Sequence, residues 1–104
     1  MPRPSDSARG AFLALVPNDP AVTTRPMFGQ VVAFVNGNMF MGLFGDRLFV
    51  RLSGDDRARV LEQGGADFTR KGYVMLPEGW TGRLDESRRW VAPALDAGRA
   101  LPPR

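Results

Sequence analysis

"QVVAFVNGNMFMGLFGDRLFVRL", residues 30–52, holds three apolar runs separated by two short polar interruptions. Gln30–Val35, Asn38–Phe44 and Arg47–Leu52 are each of strand length and rich in Val, Phe, Met and Leu. Asn36-Gly37 suits a type I′ turn, because both residues tolerate positive φ, and Gly45-Asp46 places Gly first, as a type II′ turn requires. The stretch predicts a three-stranded antiparallel meander.

Two-residue loops also fix a register by counting. Val35 then faces Asn38, Phe34 faces Met39, Val32 faces Met41, Leu43 faces Leu48 and Met41 faces Val50. One surface collects Val32, Phe34, Met39, Met41, Leu43, Leu48, Val50 and Leu52, and is expected to pack on helices. The other collects Val31, Ala33, Val35, Phe40, Gly42, Phe44 and Phe49, with Asn38, Arg47 and Arg51 at its margin. Three phenylalanines on one patch are too apolar for an ordinary solvated surface and need a cover. Three covers compete: a second copy of the chain, the chain's own terminal segments, or a nucleic acid stacked on Phe40 and Phe49 with Arg47 and Arg51 on phosphates. A homodimer is the expectation adopted, with Phe40, Phe44, Phe49, Arg47 and Arg51 as the candidate interaction face.

The flanks read as helices with one further strand pair. Ser5 is a candidate N-cap for a helix reaching Val16, where Ala8, Phe12, Leu15 and Val16 recur at helical spacing before Pro17. Ser53 and Asp56 resemble a capping box for a second helix that Gly64-Gly65 ends. Phe68–Lys71 and Tyr73–Leu76 form a hairpin or strand pair, with Lys71-Gly72 as turn chemistry. Asp85 is read as the cap of a last helix running to about Ala100, and Pro93 predicts a kink or break between Arg89 and Pro93.

Composition limits the chemistry. The 104 residues make one domain, spanning 1–104, with chain for a single modest core. No window approaches a membrane span, and Ala11–Val16 is too short for a secretory leader, so a cytoplasmic protein is expected. The chain has 0 Cys and 0 His, which removes disulfides, thiolate nucleophiles, the commonest general base and the commonest metal ligands. Most carboxylates fall at turns, caps and helix surfaces, where structural roles suffice. Lys71 and Tyr73 remain as candidate catalysts, yet no phosphate-cradling loop, nucleophile elbow or metal-ligand spacing accompanies them. No enzyme activity, metal or cofactor is expected. Basic residues outnumber acidic ones 14 to 11, and all but Lys71 are arginine, a balance that permits nucleic-acid contact without demanding it.

Just ahead of the meander, Pro26 pushes Arg25 into an extended conformation, Gly29 permits a bulge or close approach, and Met27 and Phe28 are expected to anchor a corner in apolar packing. Arg25 has no evident structural task, and a salt bridge or carbonyl contact is expected to outweigh a ligand contact there.

"RPMFGQVVAFVNGNMFMGLFGDRLFVRL", residues 25–52, resembles the signature of the TfoX/Sxy family, specifically its N-terminal domain. The residues that carry the resemblance are Arg25, Met27, Phe28, Gly29, Met39 and Phe40. "GGADFTRKGYVMLPEGW" and "LDESRRWVAPALDAGRALPP" resemble the family's later strand segment and closing helix. The resemblance implies an α+β domain with an antiparallel sheet and helices on one face, similar to secretion chaperones. It further implies a transcriptional co-regulator of competence genes, acting through protein contacts with an activator of the cyclic-AMP-receptor type at promoters, with direct DNA contact left open. The chain is expected to stand as the N-terminal domain alone, without the second domain of the full-length regulators. A dimeric peptide- or protein-binding module is the alternative reading.

Overall fold

The computed structural model describes residues 3–69 and 72–104, so Lys71 of the expected turn and strand lies outside the described residues. Six strands form one antiparallel sheet: β1 (Val22–Met27), β2 (Gln30–Val35), β3 (Asn38–Phe44), β4 (Arg47–Arg51), β5 (Ala66–Thr69) and β6 (Tyr73–Met75). Their order is β1-β2-β3-β4-β6-β5. Helices α1 (Asp6–Leu15), α2 (Gly54–Glu62), α3 (Leu84–Arg88) and α4 (Val91–Arg99) accompany it. α4 crosses β2, β3 and β4, α1 packs on β3 and α3, and α2 sits on β5 and β6. The main core lies beneath these helices, built from Phe12, Val35, Phe40, Met41, Leu43, Leu48, Val50, Val60, Val74 and Leu76.

The meander forms at the expected bounds. Asn36 and Gly37 take φ of 51° and 81°, and Gly45 takes 59°, as I′ and II′ turns require. Register between β3 and β4 also follows the count, with Met41 opposite Val50 and Leu43 opposite Leu48.

Between β2 and β3 the count needs a correction. Phe34 faces Met39, but Ala33 faces Met41 and Val32 faces Gly42, so β3 carries one extra residue at Phe40. Such a bulge shifts the pairing by one and exchanges the two faces of the partner strand. Val31, Ala33 and Val35 turn to the helices, and Val32, Phe34 and Met39 turn away. Phe40 itself enters the main core at 0% exposure, where it cannot serve the interaction face proposed from the sequence.

A strand that the sequence pattern left as a corner precedes the meander. β1 pairs along its whole length with β2, Val22 opposite Val35 through Met27 opposite Gln30. Phe28 and Gly29, at φ of 53° and 81°, close the hairpin. In a two-residue hairpin the flanking Met27 and Gln30 form the hydrogen-bonded pair, so residue 26 points its nitrogen outward. Proline has no N–H to lose there, and it fits the edge strand. Val22 N–H, also outward, is bonded to the Asp19 carbonyl at 2.9 Å.

Helix ends explain the remaining differences. Ser5 caps α1, its hydroxyl accepting from Ala8 N at 3.1 Å. Ser53 makes no side-chain cap, and α2 starts instead on Gly54 at φ 58°. Asp85 is inside α3, which opens at Leu84. The chain breaks at Arg89-Trp90 and α4 begins at Val91. Pro93 thus falls at the third position of a new helix, among the N–H groups that lack an intrahelical partner anyway.

The C-terminal residues pack on the turn end of the β2–β3 hairpin. Asn38 Nδ2 donates to the carbonyls of Gly98 (3.4 Å) and Pro102 (3.0 Å), and Arg104 N donates to Asn36 O at 2.9 Å. Arg99 pairs with Asp19 beside it. α4 approaches the sheet so closely at Gly98 that a Cβ there would lie 2.6 Å from Val35 Cγ1 and 3.1 Å from Phe40 Cβ.

Two stability measurements check this packing. Gly98→Ala is expected to destabilise: overpacking costs about 1–3 kcal/mol, which exceeds the gain of up to ~1 kcal/mol in helix propensity, so the urea midpoint falls. Phe28→Gly is expected to stabilise. It relieves about 1–2 kcal/mol of left-handed backbone strain at an entropic cost of about 0.5–1 kcal/mol, which raises Tm by a few degrees.

Candidate functional site

The sheet face opposite the helices carries a second apolar cluster. Val32, Phe34, Phe49 and Tyr73 are buried in it, with Met27, Met39, Phe44, Phe68 and Met75 half-buried around them. Among the described residues no helix covers this side; the aromatic residues cover one another. Phe68 is the extra residue of a second bulge, between Asp67 and Thr69, which frees its ring to fold over β4. Its centroid lies 4.8 Å from Phe49 and 5.4 Å from Phe44, and Tyr73 meets Phe49 edge-on at 5.6 Å. Edge-on and offset ring pairs of this kind add to what burial alone contributes. Gly42 makes room for the stack, because a Cβ on it would meet the Phe49 ring at 2.5 Å.

Two arginines finish the surface. Arg25 stacks its guanidinium 4.2 Å above the Phe34 ring. Arg51 lies 4.6 Å above Tyr73, donates to the Tyr73 hydroxyl at 2.7 Å and to the Met39 carbonyl at 3.2 Å. The Tyr73 hydroxyl in turn donates to Met39 O at 3.0 Å. This network binds β3, β4 and β6 together, and it ties up both groups. Arg47, the other arginine expected at the margin, reaches the Leu76 carbonyl at 3.1 Å and Glu78 at 3.7 Å.

One apolar groove of about 160 Å³ opens on this face, along Met27, Met39, Phe44, Phe49 and Phe68, with Phe28 at its rim. Phe28 is 83% exposed, the most exposed large apolar residue among those described. Its ring is displayed on a backbone that disfavours any residue but glycine, asparagine or aspartate. The expectation that Phe28 anchors a corner is therefore corrected: Met27 packs inward, and Phe28 projects from the hairpin tip. Arg3 lies against the same tip, its Nε about one van der Waals contact from where a Gly29 Cβ would be (3.5 Å).

The residues singled out from the sequence are thus regrouped. Phe44 and Phe49 share the outer face as expected, Phe40 leaves it, and Arg47 and Arg51 are committed to carbonyls. Met39, expected on the helix-packing surface, turns outward through the bulge, and it joins that face together with Arg25, Met27 and Phe28, which the sequence placed at a corner ahead of the meander. Arg25 finds an aromatic ring in place of the expected salt bridge or carbonyl. Phe68, Tyr73 and Met75 also belong to it and had no signal beyond strand alternation, while Phe68 arrives there only through its bulge.

Two larger openings lie on the helical side, of about 260 and 270 Å³. Arg83 with Glu86 (3.9 Å), and Arg47 with Glu78 (3.7 Å), neutralise each other at their mouths. Asp46 there accepts from Ser5 N at 2.7 Å, and its carbonyl accepts from Trp80 Nε1 at 2.8 Å. Among the described residues no three His, Cys, Asp or Glu side chains gather as a metal site, and no helix is long and apolar enough to cross a membrane.

No curated protein matched the sequence. The family model of the TfoX N-terminal domain matches residues 13–98, from α1 through α4 and so across both the helical core and the outer sheet face. A match over most of the chain, on the fold that the resemblance implied, shows that this protein belongs to the TfoX N-terminal domain family.

Proposed function

We propose that this chain is a non-enzymatic regulatory domain of the competence-regulator type, which works in the cytoplasm by contacting a protein partner through the outer sheet face. The single observation that carries this reading is Phe28: a large ring, 83% exposed, at φ 53°, beside an apolar groove. Exposure and backbone strain both oppose stability, and a feature that is costly twice points to a contact made elsewhere. Family membership supplies the regulatory context, since the matched domain is the one named for the competence regulators. The partner is a transcription activator of the cyclic-AMP-receptor type, bound at its promoter.

Direct DNA contact is the weaker part of this reading. Stacking bases need open ring faces, and Phe49 is 3% exposed while Phe34 is 6% exposed beneath Arg25. A net charge of +3 still permits backbone contact, which would weaken steeply with salt. Electrophoretic mobility separates the two. The domain is expected to retard the activator–promoter complex further at 150 mM salt while leaving naked promoter DNA unshifted at micromolar concentration. Retention of naked DNA alone, or indifference to the activator, would remove the protein-contact reading.

A further inference from the structure

We infer that the occupant of the outer-face groove is an acidic peptide segment of the partner, which inserts a bulky apolar side chain beside Phe28 and pairs a carboxylate with Arg25. This rests on the protein-contact reading above and names the chemistry that such a partner must present.

Three observations lead there. The groove holds about 160 Å³ between Met27, Met39, Phe44, Phe49, Phe68 and the rim residue Phe28. A cavity of about 150 Å³ accepts a benzene-sized ring, so one Phe, Leu or Met side chain fills it. Two of the lining residues, Met27 and Met39, are unbranched thioethers, a side chain that adapts to different guests, and Phe28 is largely exposed.

Charge then decides between occupants. Arg25 sits across β1–β2 from Val32, which also lines the groove. Its Cζ rests 4.2 Å over the Phe34 ring, and among the described residues its guanidinium makes no hydrogen bond or ion pair. A guanidinium resting over a ring with its N–H donors unused is available for a two-pronged carboxylate contact. Arg3 adds a second cation at the hairpin tip. No carboxylate sits at a described strand position facing this side or lines the groove; Asp67 pairs with Arg57, and Asp46 and Glu78 line an opening on the helical side.

A second copy of the chain fits poorly. Two such faces in contact would bury the Arg25 side chains of both copies with no carboxylate at a described strand position of either face to neutralise them, and an unpaired charge buried at an interface is costly. Pairing along β1 is blunted by Pro26 at the edge. A nucleic acid would match the sign of charge but find one open ring.

Selection of a random twelve-residue peptide library on the intact chain, with counter-selection on Phe28→Gly, tests the inference. Phe28→Gly keeps the left-handed turn and removes only the ring, and its Tm establishes that it folds. The expected consensus carries an aromatic, Leu or Met residue flanked by Asp or Glu. A selected peptide made synthetically is expected to lose at least tenfold in affinity to Phe28→Gly, and several-fold to Arg25→Gln or on raising salt from 50 to 300 mM. A basic consensus, no consensus, or affinity indifferent to both variants would overturn it. So would sedimentation showing wild type as a dimer that Phe28→Gly dissociates, since a second copy would then fill the groove. If the activator is bound but the selected peptides are basic, only this inference fails; if acidic peptides bind and the activator does not, the groove stands and the activator is the wrong partner.

Discussion

Phe40 packs under α4 because β3 holds one residue more than β2 between Met39 and Met41. That single insertion turns Val31, Ala33 and Val35 toward the helices and Val32 and Phe34 away from them. The contact of Phe40 with Gly98 then sets how near α4 can lie, and Asn38, next to the bulge, fastens the end of α4 and the C-terminal residues to the sheet. Main core, helix placement and the composition of the outer face all follow from one extra residue. A sheet with the simple register would have set Phe40 outside and Phe34 inside, a different protein on its exposed side.

The outer face is stable without helices because its aromatic groups are held at both ends of the sheet. At the β5 end a bulge at Phe68 brings a ring over Phe49 and Phe44. At the β1 end Arg25 covers Phe34. Between them Arg51 and Tyr73 lock to the Met39 carbonyl, which lies beside the β3 bulge. An irregular strand leaves its carbonyls off the ladder, and buried carbonyls need donors. Arg51 and Tyr73 supply them, so the arginine that seemed available for a phosphate is there to satisfy backbone.

Much of the fold was legible in residues 30–52, because turn chemistry is local. Asn36-Gly37 and Gly45-Asp46 specify their turns through φ values that few other residues adopt. The β3–β4 register followed from the second turn alone. Bulges have no such local mark: nothing in Met39-Phe40-Met41 distinguishes a regular strand from one with an extra residue, and the outcome depends on which register buries more against α4. Residues 22–27 escaped notice as a strand for a related reason. An edge strand exposed on both sides needs no apolar alternation, and Thr-Thr-Arg-Pro shows none. Pro93 could be read correctly as an interruption but not in position, since the chain avoids its cost by restarting the helix at Val91.

The family signature and the apolar face were separate in the sequence, and the β1–β2 hairpin joins them. Arg25, Met27 and Phe28 lie at one edge of the surface whose centre is Phe49, and each departs from what stability alone favours in a different way. Arg25 rests over Phe34 without using its N–H donors in any hydrogen bond or ion pair among the described residues. Met27 fills the groove wall without closing it. Phe28 occupies a turn position where glycine would be more stable, with its ring in solvent. Local conflict of this kind, in a chain whose other turns use the residues their geometry favours, is what a contact surface produces when it is retained at some expense in stability. On the helical side Arg83 and Arg47 at the two openings pair with Glu86 and Glu78, and what stays unmet there is smaller: the buried Nε of Arg47 lacks a partner and Leu13 is half exposed on a helical backbone. What sets the outer face apart is therefore the coincidence of exposure and left-handed backbone at one large ring, Phe28, beside an apolar groove.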